Sequence, residues 1–441
     1  MRDRAIEMSD NTLQQYVSWF RNSSPYINAH KGKTFVLVFG GEVVADELFS
    51  AIVHDIALLS TLGVKLVLVH GSRRQVEESL LAAKVQSALA NGRRITDAPA
   101  LALAVQAAGV LRARIEALLS MGIANSPMHG ARIRVCGGNF VTAQPFGVHE
   151  GVDFQHTGRL RRVDREGIAA QLALGNIVLI SPLGYSPTGE IFNLSKEEVA
   201  VSVASALAAD KLILLEDALI RDADGQPLRD LPIQLAQSLF EHSPTPVLDA
   251  AIQACQLGVE RCHVLDYRRD GALLQELFTR DGVGTMINRG GYENIRMAGI
   301  EDVGGIMELI EPLERDGTLV RRSRERLEID ISGFSVVERD GAIIACAALF
   351  PDQPNQSAEL ACVATAPHYR RSGRANRLLE HIEGRARTLG ITRLFVLTTR
   401  TAHWFLERGF HAAELSELPE KRRELYNYQR NSLVFIKALD S

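Results

Sequence analysis

No run in this 441-residue sequence approaches the roughly 18 consecutive apolar residues of a membrane-spanning helix. The segment from Met1 to Asp10 carries acids and no apolar core of signal-peptide length, so the expectation is a soluble, cytoplasmic protein with no membrane partner. Cysteine is scarce. The five present, Cys136, Cys255, Cys262, Cys346 and Cys362, are odd in number, far apart and without a C-x-x-C pair. That pattern argues against a disulfide framework and a structural metal, and for a reducing compartment. An excess of one charge is also lacking: 49 basic residues stand against 53 acidic ones, interspersed, for a net charge of -4. A polyanion-binding surface is not indicated and nucleic acid is not an expected partner. Low-complexity tracts and internal repeats are missing as well.

What is there is an ordinary globular composition, 46% hydrophobic and 23% charged, in a chain long enough for two domains with a core each. Ser9 to Asn22 reads as an amphipathic helix with Leu13, Tyr16, Val17 and Phe20 on one face and Ser9 or Asp10 as N-cap. From Lys33 to about Thr285, short apolar runs alternate with helical patterns. The runs are Phe35 to Phe39, Lys65 to Val69, Ile177 to Ile180, Lys211 to Leu215 and Cys262 to Leu265. Fully apolar strands separated by helices predict an α/β sandwich whose mostly parallel sheet is covered on both faces. Residues 286–294, polar and glycine-bearing, read as a link, which divides the chain into 1–285, 286–294 and 295–441.

The most informative stretch is Arg370-Arg371-Ser372-Gly373-Arg374-Ala375, which joins the apolar run Glu359 to Ala366 to a helical pattern from Asn376 to Leu389. A glycine turn at a helix start leaves backbone N–H groups free for an anion. The spacing Arg-x-x-Gly-x-Ala resembles the signature turn of the GCN5-related N-acetyltransferase superfamily, and the strand Leu394 to Thr398 followed by Trp404 to Phe410 agrees with it in order. The resemblance implies acetyl-CoA as co-substrate, its pyrophosphate on Arg370 to Ala375 with Arg374 or Arg371 adding charge. Its pantetheine arm would pair with a splayed strand at Cys362, Val363 and Ala364.

Phe35 to Gly41, Val69-His70-Gly71 and Lys211 to Asp217 resemble, in order, the motifs of the amino-acid kinase family over roughly Lys33 to Thr285. In that family a lysine precedes the Gly-Gly pair and stabilises the transferring phosphoryl group. Val38 and Phe39 stand there in this sequence, and the phosphate cradle is reduced to Gly71-Ser72-Arg73-Arg74. Added Cβ atoms limit close backbone approach, so phosphoryl transfer is not expected. Leu274 to Thr285 resembles instead a segment of arginine-inhibited acetylglutamate kinases. That resemblance implies L-arginine as inhibitor, with Glu276 on its guanidinium or ammonium, Gly282 offering backbone, and Lys211 and His263 near its carboxylate. A solvated Glu276 and a hydrogen-bonded core His263 are the alternatives.

The two halves together resemble the bacterial N-acetylglutamate synthase family. This implies acetyl transfer from acetyl-CoA to L-glutamate, the first step of arginine biosynthesis, feedback inhibition by L-arginine, and a homo-oligomer, a hexamer in that family. Glu359 would take the proton of the substrate ammonium directly or through water. A backbone N–H from Cys362 to Ala364 would receive the thioester oxygen. The leaving thiol, with an ordinary pKa of about 8.5, needs only modest acid help. The tyrosine that many relatives use is replaced by Phe405, which leaves Thr398 or water. Arg322 and Arg430 would bind the substrate carboxylates, with Cys362 facing substrate and not acting as nucleophile. Arg321, Arg324 and Arg326 would be solvated or in helix-surface pairs. A working kinase with an appended acetyl-CoA sensor and a different amine acceptor stay open.

Overall fold

The computed structural model describes residues 10–90, 92–122, 128–222, 224–289, 293–339, 341–370, 373–424, 426 and 432–439, and the chain forms two compact units that meet in sequence between Gly290 and Gly291. In the first unit the strands β1 (Thr34–Phe39), β2 (Lys65–His70), β3 (Val135–Gly137), β4 (Ile177–Ile180), β5 (Lys211–Glu216), β6 (Asp230–Pro232), β7 (Arg261–Asp266) and β8 (Thr285–Asn288) build one sheet. Their order is β6-β8-β7-β5-β1-β2-β4-β3, with all neighbours parallel except β7 and β8. Period-2 alternation sorts the apolar runs between two cores. Phe35, Leu37, Phe39, Leu66, Leu68, Ile213 and Leu215 pack on the helices α2 (Phe49–Thr61) and α3 (Ala98–Leu119). Val36, Val38, Val67, Val69, Leu212 and Leu214 pack on α4 (Lys196–Ala206) and α5 (Pro246–Gln256). The expected sandwich with a mostly parallel sheet is therefore present.

Three features depart from the sequence reading. The N-terminal helix α1 runs over Asp10–His30 and carries Pro25 inside it, where Asn22 was the expected end; Ser9 lies outside the described residues. Its last turns are held by packing, since His30 Nε2 lies 2.7 Å from the carbonyl of Leu277 in α6 (Ala272–Phe278) and Tyr26 and Ile27 join the core. A second sheet, of Val141–Pro145, Gly158–Val163, Leu183–Tyr185 and Ile191–Asn193, is built from strands too short or too polar to register as apolar runs. The link expected over 286–294 is narrower: Thr285–Asn288 pairs with β7 and β6, and Glu293–Met297 is already a strand of the second unit.

That unit holds β9 (Glu293–Met297), β10 (Phe334–Arg339), β11 (Ala342–Asp352), β12 (Ser357–Thr365), β13 (Arg393–Thr398), β14 (His411–Ala413) and β15 (Leu433–Ala438) in the order β9-β10-β11-β12-β13-β15-β14. Neighbours are antiparallel except β12 and β13. Helix α7 (Val303–Arg315) packs one face through Val303, Ile306 and Ile310, and α8 (Arg374–Thr388) packs the other through Leu378, Leu379 and Ile382.

Candidate active site and effector cluster

The site in the second unit begins with a defect in β12. Against β11 the register passes from Cys346↔Ala364 to Ala348↔Ala361, so β12 carries one residue more than its partner. Cys362 takes the extra place, in the left-handed region at φ +51. The bulge shifts the alternation: Ala358 and Leu360 pack toward α8, whereas Cys362 and Ala364 pack toward α7. Glu359, opposite in phase to Leu360, thereby shares a face with Cys362. On its other edge β12 pairs with β13 only at Ser357↔Arg393, Ala358↔Leu394 and Glu359↔Phe395. Beyond Glu359 the parallel pair opens, leaving a wedge with backbone groups of Cys362 to Ala364 along one wall. An extended chain of amides fits such a wedge by strand-like pairing.

At the far end of β12, Gly373 caps α8 in the left-handed conformation, φ +76, with open space around the position of a Cβ. A 15-residue helix start offers its first N–H groups there, and Arg370, which also donates Nε–H to the Thr365 carbonyl at 3.3 Å, stands beside it. Arg371 and Ser372 lie outside the described residues, as does Arg430. Arg374 points to a place the sequence reading missed. Its Nε donates to Glu293 at 2.6 Å, and Arg339 and Arg377 reach the same carboxylate at 3.3 and 3.5 Å. Glu293 is buried, and Tyr369 lies under the guanidinium groups of Arg374 and Arg339. Three guanidinium groups thus meet on one carboxylate beside the turn. Nothing in the sequence around Glu293, read as link, signals that role.

Arg322 reaches Cys362: its Nη1 meets the thiol sulfur, its backbone N–H donates to Glu314 Oε1 at 2.9 Å, and its guanidinium lies 5.9 Å from the Phe350 ring centre. Burial pushes the Cys362 thiol up to about 11 against the pull of Arg322, so it stays protonated and is no nucleophile near neutrality. Arg324 and Arg326 make exposed pairs with Glu328 and Asp330 one turn on, at 2.8 Å each, and take no part. Thr398 is buried; its Oγ1 lies 2.8 Å from Thr401 Oγ1 and accepts from Thr401 N at 3.1 Å. Phe405, where a tyrosine was looked for, packs edge-on to Trp404 and Phe410 in the core. Glu359 holds both oxygens on the fork of Arg422, a residue of the short helix α9 (Glu420–Glu424) that in sequence looks like one member of a solvated charge run.

In the first unit the structure brings together all four residues expected at an effector site. His263 Nδ1 lies 2.6 Å from Glu276 Oε1, and Lys211 Nζ lies 3.4 Å from His263 Nε2. Glu276 Oε2 accepts from Val283 N at 2.6 Å and Gly284 N at 2.8 Å. Gly282, at φ +58, has no room for more: a Cβ there would stand 2.3 Å from Glu276 Oε2. Burial opposes the charge on Glu276, yet the bonds from His263, Gly284 and Val283 win and hold it down to about 2. Burial first, then Lys211, hold His263 below its usual range, so the neutral ring donates from Nδ1 to Glu276 and accepts from Lys211. Glu276 is therefore a buried, inward-bonded carboxylate, not a solvated helix residue. Val38 is buried inside β1, so no side chain of that position reaches a phosphate.

Comparison with known proteins agrees with both halves. The amino acid kinase family matches residues 33–266 and the acetyltransferase (GNAT) family residues 305–410. Proteins named amino-acid acetyltransferase from Azotobacter vinelandii and Pseudomonas aeruginosa are 56% and 55% identical over 433 residues, 97% of this chain and 100% of theirs. The crystal structure of N-acetylglutamate synthase from Neisseria gonorrhoeae complexed with coenzyme A and L-arginine is similar at 40% identity, with TM-score 0.88 over 97% of this chain and 100% of that one. The same enzyme complexed with coenzyme A and N-acetyl-glutamate gives TM-score 0.62 at equal identity and coverage. With this likeness running the length of both units, the chain belongs to the amino-acid acetyltransferase family that includes the bacterial N-acetylglutamate synthases.

Proposed function

We propose that this chain transfers the acetyl group of acetyl-CoA to the amine of L-glutamate, giving N-acetyl-L-glutamate and coenzyme A in the first step of arginine biosynthesis, under inhibition by L-arginine. The observation that carries the reading is the wedge between β12 and β13, with the Glu359 carboxylate where it opens and the Gly373 turn at its far end. Acetyl-CoA supplies an activated thioester; the residues supply position and proton handling. Glu359 takes a proton from the substrate ammonium, directly or through water. Backbone N–H groups of Cys362 to Ala364 on the open edge face the thioester oxygen. The Thr398 hydroxyl, already bonded to Thr401, relays or donates a proton to the leaving sulfur. Arg370 to Ala375 hold the pyrophosphate, and Arg322 and Arg430 hold substrate carboxylates.

The first unit, residues 1–290, is the regulatory half, and the second, residues 291–441, the catalytic half. Inward bonding of Glu276 supports a preorganised effector site: Lys211, His263 and Glu276 are already fixed, and an arginine gains the charges of Lys211 and Glu276 without ordering them. Helix α1 exposes Leu13, Tyr16, Val17, Trp19 and Phe20, the face by which copies of this chain assemble, as a hexamer in the cytoplasm. Light scattering on a chain lacking residues 1–24 shows a smaller assembly; an unchanged one removes that role from α1. Thiol release from acetyl-CoA with L-glutamate, with and without L-arginine, tests the function itself. Wild type releases thiol with L-glutamate and not with L-aspartate, arginine suppresses it, and Glu359→Gln lowers kcat by about 10²- to 10⁴-fold with the acetyl-CoA KM kept. Glutamate-independent or arginine-indifferent release overturns the corresponding half.

A further inference from the structure

Glu293 opens β9, and its side chain is almost wholly enclosed, at 5% exposure. A carboxylate withdrawn from water stays charged only against paired cations, so its place and theirs are fixed together. Two of its three partners share the enclosure: the side chains of Arg339, which ends β10, and of Arg374 are 9% and 15% exposed. Arg377, at 53%, makes a screened pair that adds little. The hold on Arg374 is the close one. Its Nε donates to Glu293 Oε1 at 2.6 Å and its Nη2 meets the same oxygen, which Arg339 Nη1 reaches at 3.3 Å.

Arg374 is the first residue of α8, directly after Gly373, so a hold on its side chain is a hold on the first helical turn. The other end of the turn is caught in the same group. Tyr369, buried in the core cluster with Leu378, Leu379 and Ile382 of α8, has its ring centre 5.0 Å from the Arg374 guanidinium and 5.5 Å from that of Arg339. The chain thus leaves the core at Tyr369 and enters the helix at Arg374 with both ends packed on one set of side chains, whose anion is Glu293. Whatever else Arg374 and Arg339 touch, this carboxylate is one of the groups that place them.

By its charge alone a carboxylate near a pyrophosphate opposes binding, so what Glu293 contributes beside this turn is geometry. The first N–H groups of a helix receive an anion only along the direction in which the turn presents them. We propose that Glu293 is a positioning residue for acetyl-CoA, which acts through Arg374 to set the first turn of α8 in the orientation that receives the pyrophosphate. Order already present in the free protein does not have to be supplied by the coenzyme when it binds.

This role rests on the reading of residues 370–375 as the pyrophosphate site, and the test separates the two. Thiol release with L-glutamate is measured for Glu293→Asp, which keeps the charge and shortens the reach by one methylene. The acetyl-CoA KM rises by about 5- to 10-fold, while kcat and the glutamate KM stay within about twofold of wild type. A merely structural defect lowers the fraction of active enzyme, and with it kcat, and leaves the acetyl-CoA KM unmoved; that pattern overturns the role, as does a variant indistinguishable from wild type. Where Glu293→Asp does not fold, Glu293→Gln decides. It keeps the reach but trades charge-assisted bonds for neutral ones of about half the strength, and a smaller rise confined to the acetyl-CoA KM is expected. An acetyl-CoA KM at or below the wild-type value in that variant leaves only the charge of the carboxylate at work and overturns the positioning. Failure of the pyrophosphate reading shows elsewhere, as an unchanged acetyl-CoA KM in Gly373→Ala, and failure of the functional reading shows as no release by wild type.

Discussion

Each unit places a glycine turn at the end of a strand, just before a helix, and only one of the two is open. In the first unit the turns after β1 and β2 are filled by the chain's own side chains. The Lys196 stem lies where a Cβ on Gly71 would be only 2.9 Å from its Cδ, and the Gln75 amide stands 1.8 Å from the Cβ position of Gly41. The Lys196 ammonium is bonded to Glu216 at 2.7 Å and Glu197 at 3.3 Å, and Glu42 adds to the field upon it. In the second unit no described residue approaches the Cβ position of Gly373 within 4 Å, and three arginines surround Glu293. The charge is thus inverted: three carboxylates about one ammonium, against three guanidinium groups about one carboxylate. A backbone turn alone does not make a phosphate site. Space and the sign of the local charge decide which turn receives one.

The largest expected effect comes from emptying the filled crevice. Lys196→Met removes the cation that offsets buried Glu216 and Glu197, and breaking such a set costs about 3–5 kcal/mol. Urea unfolding at pH 7 shows the loss in the first unit. Burial already raises the Glu216 carboxyl, so the deficit of the variant narrows as the pH is lowered and the carboxyls take up protons. A variant as stable as wild type at pH 7 breaks the description of the crevice as a filled, charge-balanced site.

Next comes the effector cluster, where the first unit keeps a charged site with order. The Glu276 carboxyl is depressed from 4.5 to about 2 in the folded chain. A depressed carboxyl contributes stability that is present above its unfolded value and is lost as the pH falls through its folded one. Wild type therefore loses this contribution between about pH 4.5 and 2, and Glu276→Gln flattens that part of the curve of urea midpoint against pH. Removing the ionised acceptor of two buried backbone N–H groups costs about 1–3 kcal/mol at pH 7. In the thiol-release assay the same variant escapes inhibition by L-arginine. Retained inhibition reduces Glu276 to a structural carboxylate.

The strands were legible because β1, β2, β4 and β5 hold unbroken apolar runs and β7 one interrupted only by His263, and their period-2 split between two cores follows from the pleat alone. The turn proposed for the coenzyme stood out for a similar reason: Arg370, Gly373 and Ala375 sit at fixed local spacing. What escaped is what depends on contacts far apart in sequence. Lys196 lies a long way from Gly71, Glu293 from Arg374, and Arg422 from Glu359, and each looks like a solvated charge until the sheet closes the distance. The bulge at Cys362 was invisible too, since an added residue in β12 shows only against the register of β11. Backbone strain of that kind has no composition to announce it.

The smallest effects come from a matched pair of substitutions that sharpens the comparison most directly, because the same methyl group meets opposite constraints. At Gly373 there is room for a Cβ but the backbone is left-handed, φ +76, which costs an alanine about 1–2 kcal/mol. Gly71 is not among the left-handed residues, and a Cβ there would press at 2.9 Å on the Lys196 stem, whose ammonium is tied to Glu216 and Glu197, so the side chain must shift. Gly373→Ala therefore raises the acetyl-CoA KM by about 5- to 30-fold with the glutamate KM unchanged, because the strain is relieved only by moving the turn that faces the pyrophosphate. Gly71→Ala lowers the melting temperature and leaves both KM values where they were. If the two exchange behaviours, the phosphate-facing turn is the one in the first unit, and the assignment of the open and filled crevices is reversed.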